Sequence, residues 1–297
     1  MTRYKKLVLV RTIESKLTFL KKLKGGKFRL FLTLCFFPLA LPALFRSRKK
    51  LIIPYMEIAV TEKCSLNCKD CANLMPYYHN PKTYPSADII KDLERMEQLC
   101  AEIYVLQVLG GEPLMHPELP ELLKYILSRP FIRRIQVVTN GTLMPKEALI
   151  PLLQNRKVTV LMSDYGEVSA KKPQLIELCA AKNIRCNVLA YSDWLDYGDL
   201  SDKKLNDFEI IDSYRRCPSA ECKTLIGGKF FSCPRSAHMY NLNCTPNVTD
   251  FVDIRDAETT PDTIKEFYNR PGIAACLYCN PPKKRNPIPA AIQTERL

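Results

Sequence analysis

The 297-residue chain lacks a hydrophobic run long enough to cross a membrane. Its most apolar stretch, residues 30–45, contains Pro38 and Pro42, whereas a spanning helix needs about 20 mostly apolar residues. The stretch lies behind a long basic leader, ends in a basic cluster and has no clean small-residue cleavage site, unlike a secretory signal. The sequence therefore disfavours both a spanning anchor and export.

Beyond its first fifty residues the chain also lacks any excess of charge. Residues 1–50 hold 14 Lys and Arg against the single acid Glu14, and the rest of the chain carries 30 basic and 30 acidic side chains. Nucleic-acid binding depends on many Lys and Arg contacts with phosphates, so the neutral body disfavours a nucleic-acid partner. The basic N-terminal segment fits two alternatives: an anchor on the inner membrane surface, or helices packed on the main domain.

Cysteine, in contrast, is abundant, with 13 residues, and its spacing is not that of a short secreted disulfide scaffold. Eight cysteines fall into clusters typical of metal binding: Cys64, Cys68, Cys71, Cys217, Cys222, Cys233, Cys276 and Cys279. Four others lie in apolar or helical segments, where a small buried hydrophobe is expected: Cys35, Cys100, Cys179 and Cys186. Cys244 fits neither group. Reduced, metal-binding thiols predict a cytoplasmic protein.

Short apolar runs alternate with longer periodic ones from residue 51 onward. Strands are predicted at 55–60, 103–109, 132–138, 157–163 and 184–191. Helices are predicted at 86–101, 117–128, 146–154 and 172–182. This alternation specifies parallel β/α units, whose ligands bind at the carboxyl ends of the strands.

A distinctive motif follows each of the first four predicted strands. The first strand leads into the cysteine loop at 64–71, the second into Gly110–Pro113, the third into Thr139–Gly141 and the fourth into Ser163–Gly166. Parallel strands all end at the same edge of their sheet, which we call the rim. We therefore expect these four rim motifs to lie side by side and to form one site.

The cysteine loop has only three clustered ligands. Three thiolates on a [4Fe-4S] cluster leave one iron free to bind a small molecule. Structural zinc, the alternative, needs a fourth ligand, and His79 is the only imidazole nearby in the sequence.

The C-x3-C-x2-C loop and the rim motifs resemble those of the radical S-adenosylmethionine (SAM) superfamily over residues 55–190. The resemblance implies that Cys64, Cys68 and Cys71 bind a [4Fe-4S] cluster whose fourth iron chelates SAM. Asp70 departs from the pattern, because the family usually has an aromatic residue before the last cysteine.

The same resemblance implies that residues of the rim motifs contact SAM. A segment that receives the SAM amino group is expected at Gly110, Gly111, Glu112 and Pro113. Residues near the methionine and ribose parts of SAM are expected at Thr139, Asn140 and Ser163. His116 is expected to shape the start of the next helix rather than to act as an acid or base.

The later cysteines resemble the auxiliary-cluster extensions called twitch or SPASM domains. The resemblance implies a second [4Fe-4S] cluster held by four of five candidates: Cys217, Cys222, Cys233, Cys276 and Cys279. Either Cys217 or Cys222 is then in surplus. Four thiolates in two pairs also make a closed zinc site, which stays an alternative.

The predicted fold is α/β, a partial (β/α)6-type barrel with a small cysteine-rich domain. The predicted parts are a basic segment at 1–50, a radical SAM core at 51–205, an auxiliary domain at 206–285 and a flexible Pro-rich tail at 286–297. No sixth strand is evident after residue 191. Trp194 and Tyr197 suit either a substrate entrance or packing.

The implied function is reductive cleavage of SAM to a 5′-deoxyadenosyl radical, which abstracts hydrogen from a sugar-like metabolite or a peptide. The net outcome would be an oxidation or an epimerisation, and the reaction needs a one-electron reductant such as flavodoxin or ferredoxin. The alternative is a non-catalytic iron-sulfur or zinc protein in electron transfer or partner binding, which predicts no SAM cleavage.

Overall fold

The computed structural model describes residues 50–245 and 250–295. The predicted N-terminal segment lies outside the described residues apart from Lys50, so both alternatives for it stay predictions. Within the parts that the structure describes, every helix is too short or too polar to cross a lipid bilayer.

The first half of the described chain has the predicted alternation of strands and helices. The strands are β1 Leu51–Thr61, β2 Cys100–Gly110, β3 Ile132–Thr139, β4 Val158–Asp164 and β5 Cys186–Ala190. The helices are α1 Ser86–Leu99, α2 Leu119–Ser128, α3 Ile150–Leu153 and α4 Lys172–Ala181. All nine predicted elements are confirmed, with boundaries shifted by a few residues.

The second half contains shorter elements. The strands are β6 Asp193–Leu195, β7 Lys223–Ile226, β8 Lys229–Phe231, β9 Phe251–Asp253 and β10 Pro287–Pro289. The helices are α5 Asp207–Arg215, α6 Pro234–Asn241 and α7 Pro261–Tyr268.

The main sheet has the strand order β5-β4-β3-β2-β1-β7-β8-β9. Strands β1 to β5 are parallel, and β7 pairs parallel with the other edge of β1, so the sixth parallel strand comes from the cysteine-rich part. Strands β8 and β9 continue the sheet in antiparallel pairing. Among the described strands β5 and β9 are the two edges and do not pair, which leaves the partial barrel open.

The core lies between the sheet and its helices. Strand β1 is central, and its last six residues are all buried, as expected for a parallel strand covered on both faces. Ile89, Leu93 and Met96 of α1 repeat at helical spacing and pack into this core. Each such buried side chain contributes about 1.5–3 kcal/mol, which holds the carboxyl ends of the strands in one rim.

The C-terminal segment has more structure than its Pro-rich composition indicates. Strand β10 pairs antiparallel with β6, and the Lys69 amide donates to the Ile292 carbonyl over 2.8 Å. The Asn67 amide donates to Gln293 Oε1, also over 2.8 Å. The segment predicted to be a flexible tail is therefore docked on the cysteine loop as far as residue 295, because edge strands tolerate proline and the loop supplies hydrogen-bond partners.

Candidate functional site

A cavity of about 490 Å³ opens at the carboxyl ends of the parallel strands. It is lined by eight of the residues predicted from the sequence to hold the first cluster or SAM: Cys64, Cys68, Cys71, Gly110, Gly111, Thr139, Asn140 and Ser163. The four rim motifs thus meet at one site, as the parallel sheet requires.

The three thiols of the cysteine loop are buried, and burial favours the protonated form, which is a poor metal ligand. Burial raises the pKa of Cys64 to about 12 and that of Cys68 to about 11, and it also raises the pKa of Cys71. Gln293 Nε2 donates to Cys68 Sγ over 3.1 Å. Metal binding favours the thiolate form, so this donor set fits iron. His79, considered as a zinc ligand, lines a different cavity.

The two glycines of the second motif allow the backbone to press against the cysteine loop. A Cβ on Gly110 would lie 2.1 Å from the Thr61 carbonyl oxygen, and one on Gly111 would lie 2.2 Å from that of Lys63. The Glu112 amide donates to the Lys63 carbonyl over 2.8 Å. Only glycine fits here, and the close approach fixes the start of the cysteine loop against β2.

Glu112 is fully buried and joins two rim motifs. Its carboxylate accepts hydrogen bonds from the Asn140 amide at 2.8 Å, the Thr139 hydroxyl at 3.0 Å and the Leu114 amide at 3.1 Å. Burial raises the pKa of Glu112 to about 7. Pro113, also buried, begins the short turn Pro113–Met115. The expectation that these two residues receive the SAM amino group stays a prediction.

Asn140 ties the third motif to the cysteine loop. Its Nδ2 donates to Ser65 Oγ over 3.1 Å, and the Cys64 sulfur lies 3.7 Å away. The Ser169 hydroxyl donates to the Asn140 carbonyl over 2.8 Å and also contacts the Ser163 carbonyl at 3.2 Å. A continuous set of polar contacts therefore positions the rim.

Aromatic rings form another part of the cavity wall. Tyr165 contacts Trp194 edge-to-face, with ring centroids 5.6 Å apart, and lies 6.0 Å from the Tyr191 ring. Trp194 and Tyr197 both line the cavity, but Trp194 also packs on Tyr165 and Tyr197 on the buried cluster around Cys276, so both alternatives for them stay predictions. Sequence reasoning missed Tyr165 and Tyr191, although their positions just after β4 and β5 were a usable signal.

His116 and the isolated cysteines have packing roles. His116 Nε2 lies 2.7 Å from the Tyr84 carbonyl oxygen, and its Nδ1 accepts from the Glu118 amide just before α2, as predicted. Cys100 and Cys179 are buried in the core, and Cys186 packs against it.

A second, much smaller cavity of about 20 Å³ is surrounded by four thiols: Cys217, Cys233, Cys276 and Cys279. Cys222 instead lines the first cavity and hydrogen-bonds Glu57, whose pKa is raised to about 7 by burial. In the described ranges, no three His, Cys, Asp or Glu side chains converge closely enough to hold a single metal ion.

Local structure brings the four thiols together. Cys233 caps α6, and its sulfur accepts from the Ser236 amide over 3.3 Å. The buried Asp250 carboxylate accepts from the amides of Ala274 and Ala275, at 3.1 and 2.7 Å, which fixes the turn that carries Cys276. Burial raises the pKa of Cys233 to about 12.

Two buried cations, Arg235 and Arg285, line the second cavity, and a third, Lys223, lies beside it. Lys223, Arg235 and Arg285 are 4%, 6% and 8% exposed, and within the described part of the chain none forms an ion pair. Arg235 Nε and Arg285 Nη1 have no hydrogen-bond partner there. Buried unpaired charge is unfavourable, and an anionic metal-thiolate centre would compensate for it, so the residues fit a cluster.

Comparison with known proteins gives a family match at the first cavity. The model of the radical SAM superfamily matches residues 58–163. The GTP 3′,8-cyclases of Syntrophomonas wolfei and Clostridium perfringens (strain 13) are each 34% identical, over 94 and 96 residues. Each match covers 31% of this chain, which spans 28% of the length of either relative.

Solved structures give a weaker likeness. Streptococcus suis SuiB has a TM-score of 0.45 at 14% identity, with coverage of 93% of this chain and 81% of SuiB. BtrN in complex with AdoMet and 2-DOIA has a TM-score of 0.46 at 15% identity, covering 74% and 83%. The enzyme anSMEcpe with bound AdoMet has a TM-score of 0.47 at 14% identity, covering 76% and 82%.

The family match contains the cysteine loop and the carboxyl ends of β2, β3 and β4, which are the parts that build the first cavity. It ends before the second group of cysteines. Residues 58–163 of this chain are therefore a domain of the radical SAM superfamily.

Proposed function

We propose that this protein is a radical SAM enzyme with a second iron-sulfur site. The observation that carries the proposal is the three-cysteine loop, which shares one cavity with the ends of four parallel strands. Three protein ligands leave one iron of a [4Fe-4S] cluster open to SAM.

The first cluster would be held by Cys64, Cys68 and Cys71. When bound, the cluster and SAM would supply a 5′-deoxyadenosyl radical able to remove a hydrogen atom from substrate. The backbone of Gly110 and Gly111 would border SAM, and polar groups of Thr139, Asn140 and Ser163 would orient it. The contacts of Glu112 support a role in holding these groups in place.

The second [4Fe-4S] cluster would be held by Cys217, Cys233, Cys276 and Cys279. Their common cavity and the two unpaired arginines that line it support this ligand set. Cys222, which lines the other cavity, is then the surplus cysteine of the five candidates.

The substrate would enter beside the aromatic wall. Small-molecule sites generally occupy about 300–1000 Å³, and this cavity, at about 490 Å³, lies in that range, which supports a small-molecule ligand such as SAM. A sugar-like metabolite or one side chain of a peptide would bind next to it. A cellular one-electron reductant, such as flavodoxin or ferredoxin, would supply the electron for SAM cleavage.

The direct test is anaerobic. The chain is loaded with iron and sulfide, SAM and dithionite are added, and 5′-deoxyadenosine is quantified by mass spectrometry. We expect product from the wild type and none from the variant in which Cys64, Cys68 and Cys71 are all replaced by alanine. A Cys186→Ala variant is the matched control, because that thiol is remote from both cavities, and it should retain activity.

The alternative of a non-catalytic iron-sulfur or zinc protein predicts a different result. A chain that has bound its iron but forms no 5′-deoxyadenosine would support that alternative and would contradict the proposed enzyme.

A further inference from the structure

Arg235 lies between the two cysteine sites. It lines the second cavity, and it also lines a neighbouring groove that contains Cys71 of the first site. Its guanidinium hydrogen-bonds Cys279. Tyr197, whose ring centroid is 5.9 Å from the Arg235 guanidinium carbon, lines both cavities.

The Arg235 guanidinium is close to a thiol of each site. It is hydrogen-bonded to Cys279 of the second site and lines the same groove as Cys71 of the first. One side chain is therefore close to both groups of cysteines.

The position of Arg235 is fixed by its surroundings. Arg235 Nη2 donates to the Gly198 carbonyl over 2.8 Å. Gly198 has φ +76°, and a Cβ there would lie 2.5 Å from Asn280 Oδ1, so the acceptor position requires glycine. Arg235 Nε has no partner within the described residues, and no carboxylate there pairs with this guanidinium. Its charge is thus available to an anion at either site.

Arg285 provides a contrast. It lines the second cavity, but it lines neither the first cavity nor the groove that contains Cys71. Its Nε donates to the Asn280 carbonyl over 2.7 Å. The positive charge of Arg285 is therefore expected to act on the second site alone.

We propose that Arg235 is a positioning residue shared by both clusters, and that its positive charge raises both reduction potentials. The inference rests on the proposed function, because it requires a cluster at each site. Each cluster gains one negative charge when it is reduced, and a nearby buried cation stabilises that form in a medium of low dielectric constant. The two potentials are thus linked through one side chain.

The test is a redox titration followed by EPR on the reconstituted full chain. In Arg235→Gln, the ratio of reduced to oxidised cluster at a fixed potential should fall about tenfold at both sites. This corresponds to a reduction potential that is lower by about 59 mV for a one-electron couple. Arg285→Gln should produce a comparable fall at the second site only. Arg235→Lys, which keeps the charge, should restore most of the wild-type potential, a rescue that a purely structural role would not give.

Controls separate this inference from the proposed function. Arg133→Gln removes an exposed charge on β3 and should shift neither potential. Iron content is measured first in the Cys64, Cys68, Cys71 triple-alanine variant, where about four irons per chain should remain on the second site. No iron there would overturn the proposed second cluster and this inference together.

With both clusters present, unchanged potentials in Arg235→Gln would overturn this inference alone. A shift at one site only would contradict the shared role. If Arg235→Gln does not fold, Arg285→Gln remains decisive, because an equal shift at both clusters in that variant would contradict a local charge effect.

Discussion

Glu112 is the residue on which the rim motifs converge. Its carboxylate accepts three hydrogen bonds from the second and third motifs and has no exposed surface. We predict that Glu112→Ala lowers the free energy of unfolding by about 1–3 kcal/mol, because the buried donors lose their acceptor. Chemical denaturation measures this loss, and Glu121→Ala on the exposed face of α2 is the control. A variant as stable as the wild type would show that the donors find other partners.

Cys217 and Cys222 differ in which cavity they line, and this difference decides their predicted roles. Cys217→Ala should lose the second cluster, so that iron falls from about eight to about four per chain, whereas Cys222→Ala should keep about eight. Iron and sulfide analysis after reconstitution distinguishes the two variants. The opposite result would show that Cys222 is the ligand and that Cys217 is the surplus thiol.

His238 makes stability depend on pH. It is fully buried in α6, its Nδ1 lies 2.8 Å from the Tyr78 hydroxyl, and its Nε2 has no partner among the described residues. Burial lowers its pKa from 6.5 to about 3. The folded protein therefore keeps His238 neutral, whereas the unfolded chain takes up a proton below its pKa of 6.5, so stability falls as the pH falls below that value.

The expected size follows from the same linkage. Between about pH 7.5 and about pH 5.5 the wild type should lose about 1.4 kcal/mol more stability than His238→Gln, because one pKa unit corresponds to 1.36 kcal/mol. Denaturant unfolding of both proteins at the two pH values measures this difference. Parallel losses would show that His238 does not titrate in this way.

At the scale of elements, the C-terminal segment is a strap on the first cysteine loop. Gln293 donates to the Cys68 sulfur, and the Thr294 amide donates to the Asn67 carbonyl over 3.0 Å. A chain that ends at residue 286 should lose its first cluster faster in oxygen, because the loop loses these bonds and its cover. Bleaching of the cluster absorbance measures the rate, and a chain that ends at residue 295 is the control. Equal rates would contradict the role of the strap.

The elements also show how far sequence reasoning reaches. Hydrophobic periodicity predicts β1 to β5 and the helices between them, because each is a long segment that buries one regular face. The same pattern places the rim motifs, since parallel strands all end on one side. The family resemblance adds the role proposed for Cys64, Cys68 and Cys71.

The parts that sequence reasoning missed depend on distant contacts. Strand β7 has four residues, and its pairing with β1 joins positions more than 160 residues apart, which no local pattern reveals. The choice between Cys217 and Cys222 likewise depends on the turn between them, which directs the two side chains to different cavities. The strap was not predicted, because its prolines indicate a flexible tail, although prolines are also compatible with an edge strand.

At the scale of the whole molecule, two sites share one wall. Tyr197 and Ser219 line both cavities, and the Tyr197 hydroxyl lies 2.8 Å from that of Ser219. The arrangement supports an enzyme in which the charge state of one site influences the other. The unpaired cations should make the stability of the protein depend on the proposed clusters.

Removal of iron tests this dependence. Without the second cluster, Arg285 and its neighbours are buried charges without compensation, so the iron-free protein should unfold at a lower temperature than the loaded one. Arg285→Gln should stabilise the iron-free protein by about 1–3 kcal/mol while destabilising the loaded protein. Calorimetry of both forms under anaerobic conditions measures the two effects. A change of the same sign in both forms would contradict charge compensation by a cluster.

The central claim is that the three-cysteine loop leaves one iron open to SAM. The most direct measurement is electron-nuclear double resonance on the reduced, reconstituted protein with SAM that carries a magnetic isotope at its amino nitrogen. The account predicts a nitrogen coupling to the cluster that disappears when Cys64, Cys68 and Cys71 are replaced by alanine. A fully loaded protein whose cluster spectrum is unchanged by SAM would contradict it.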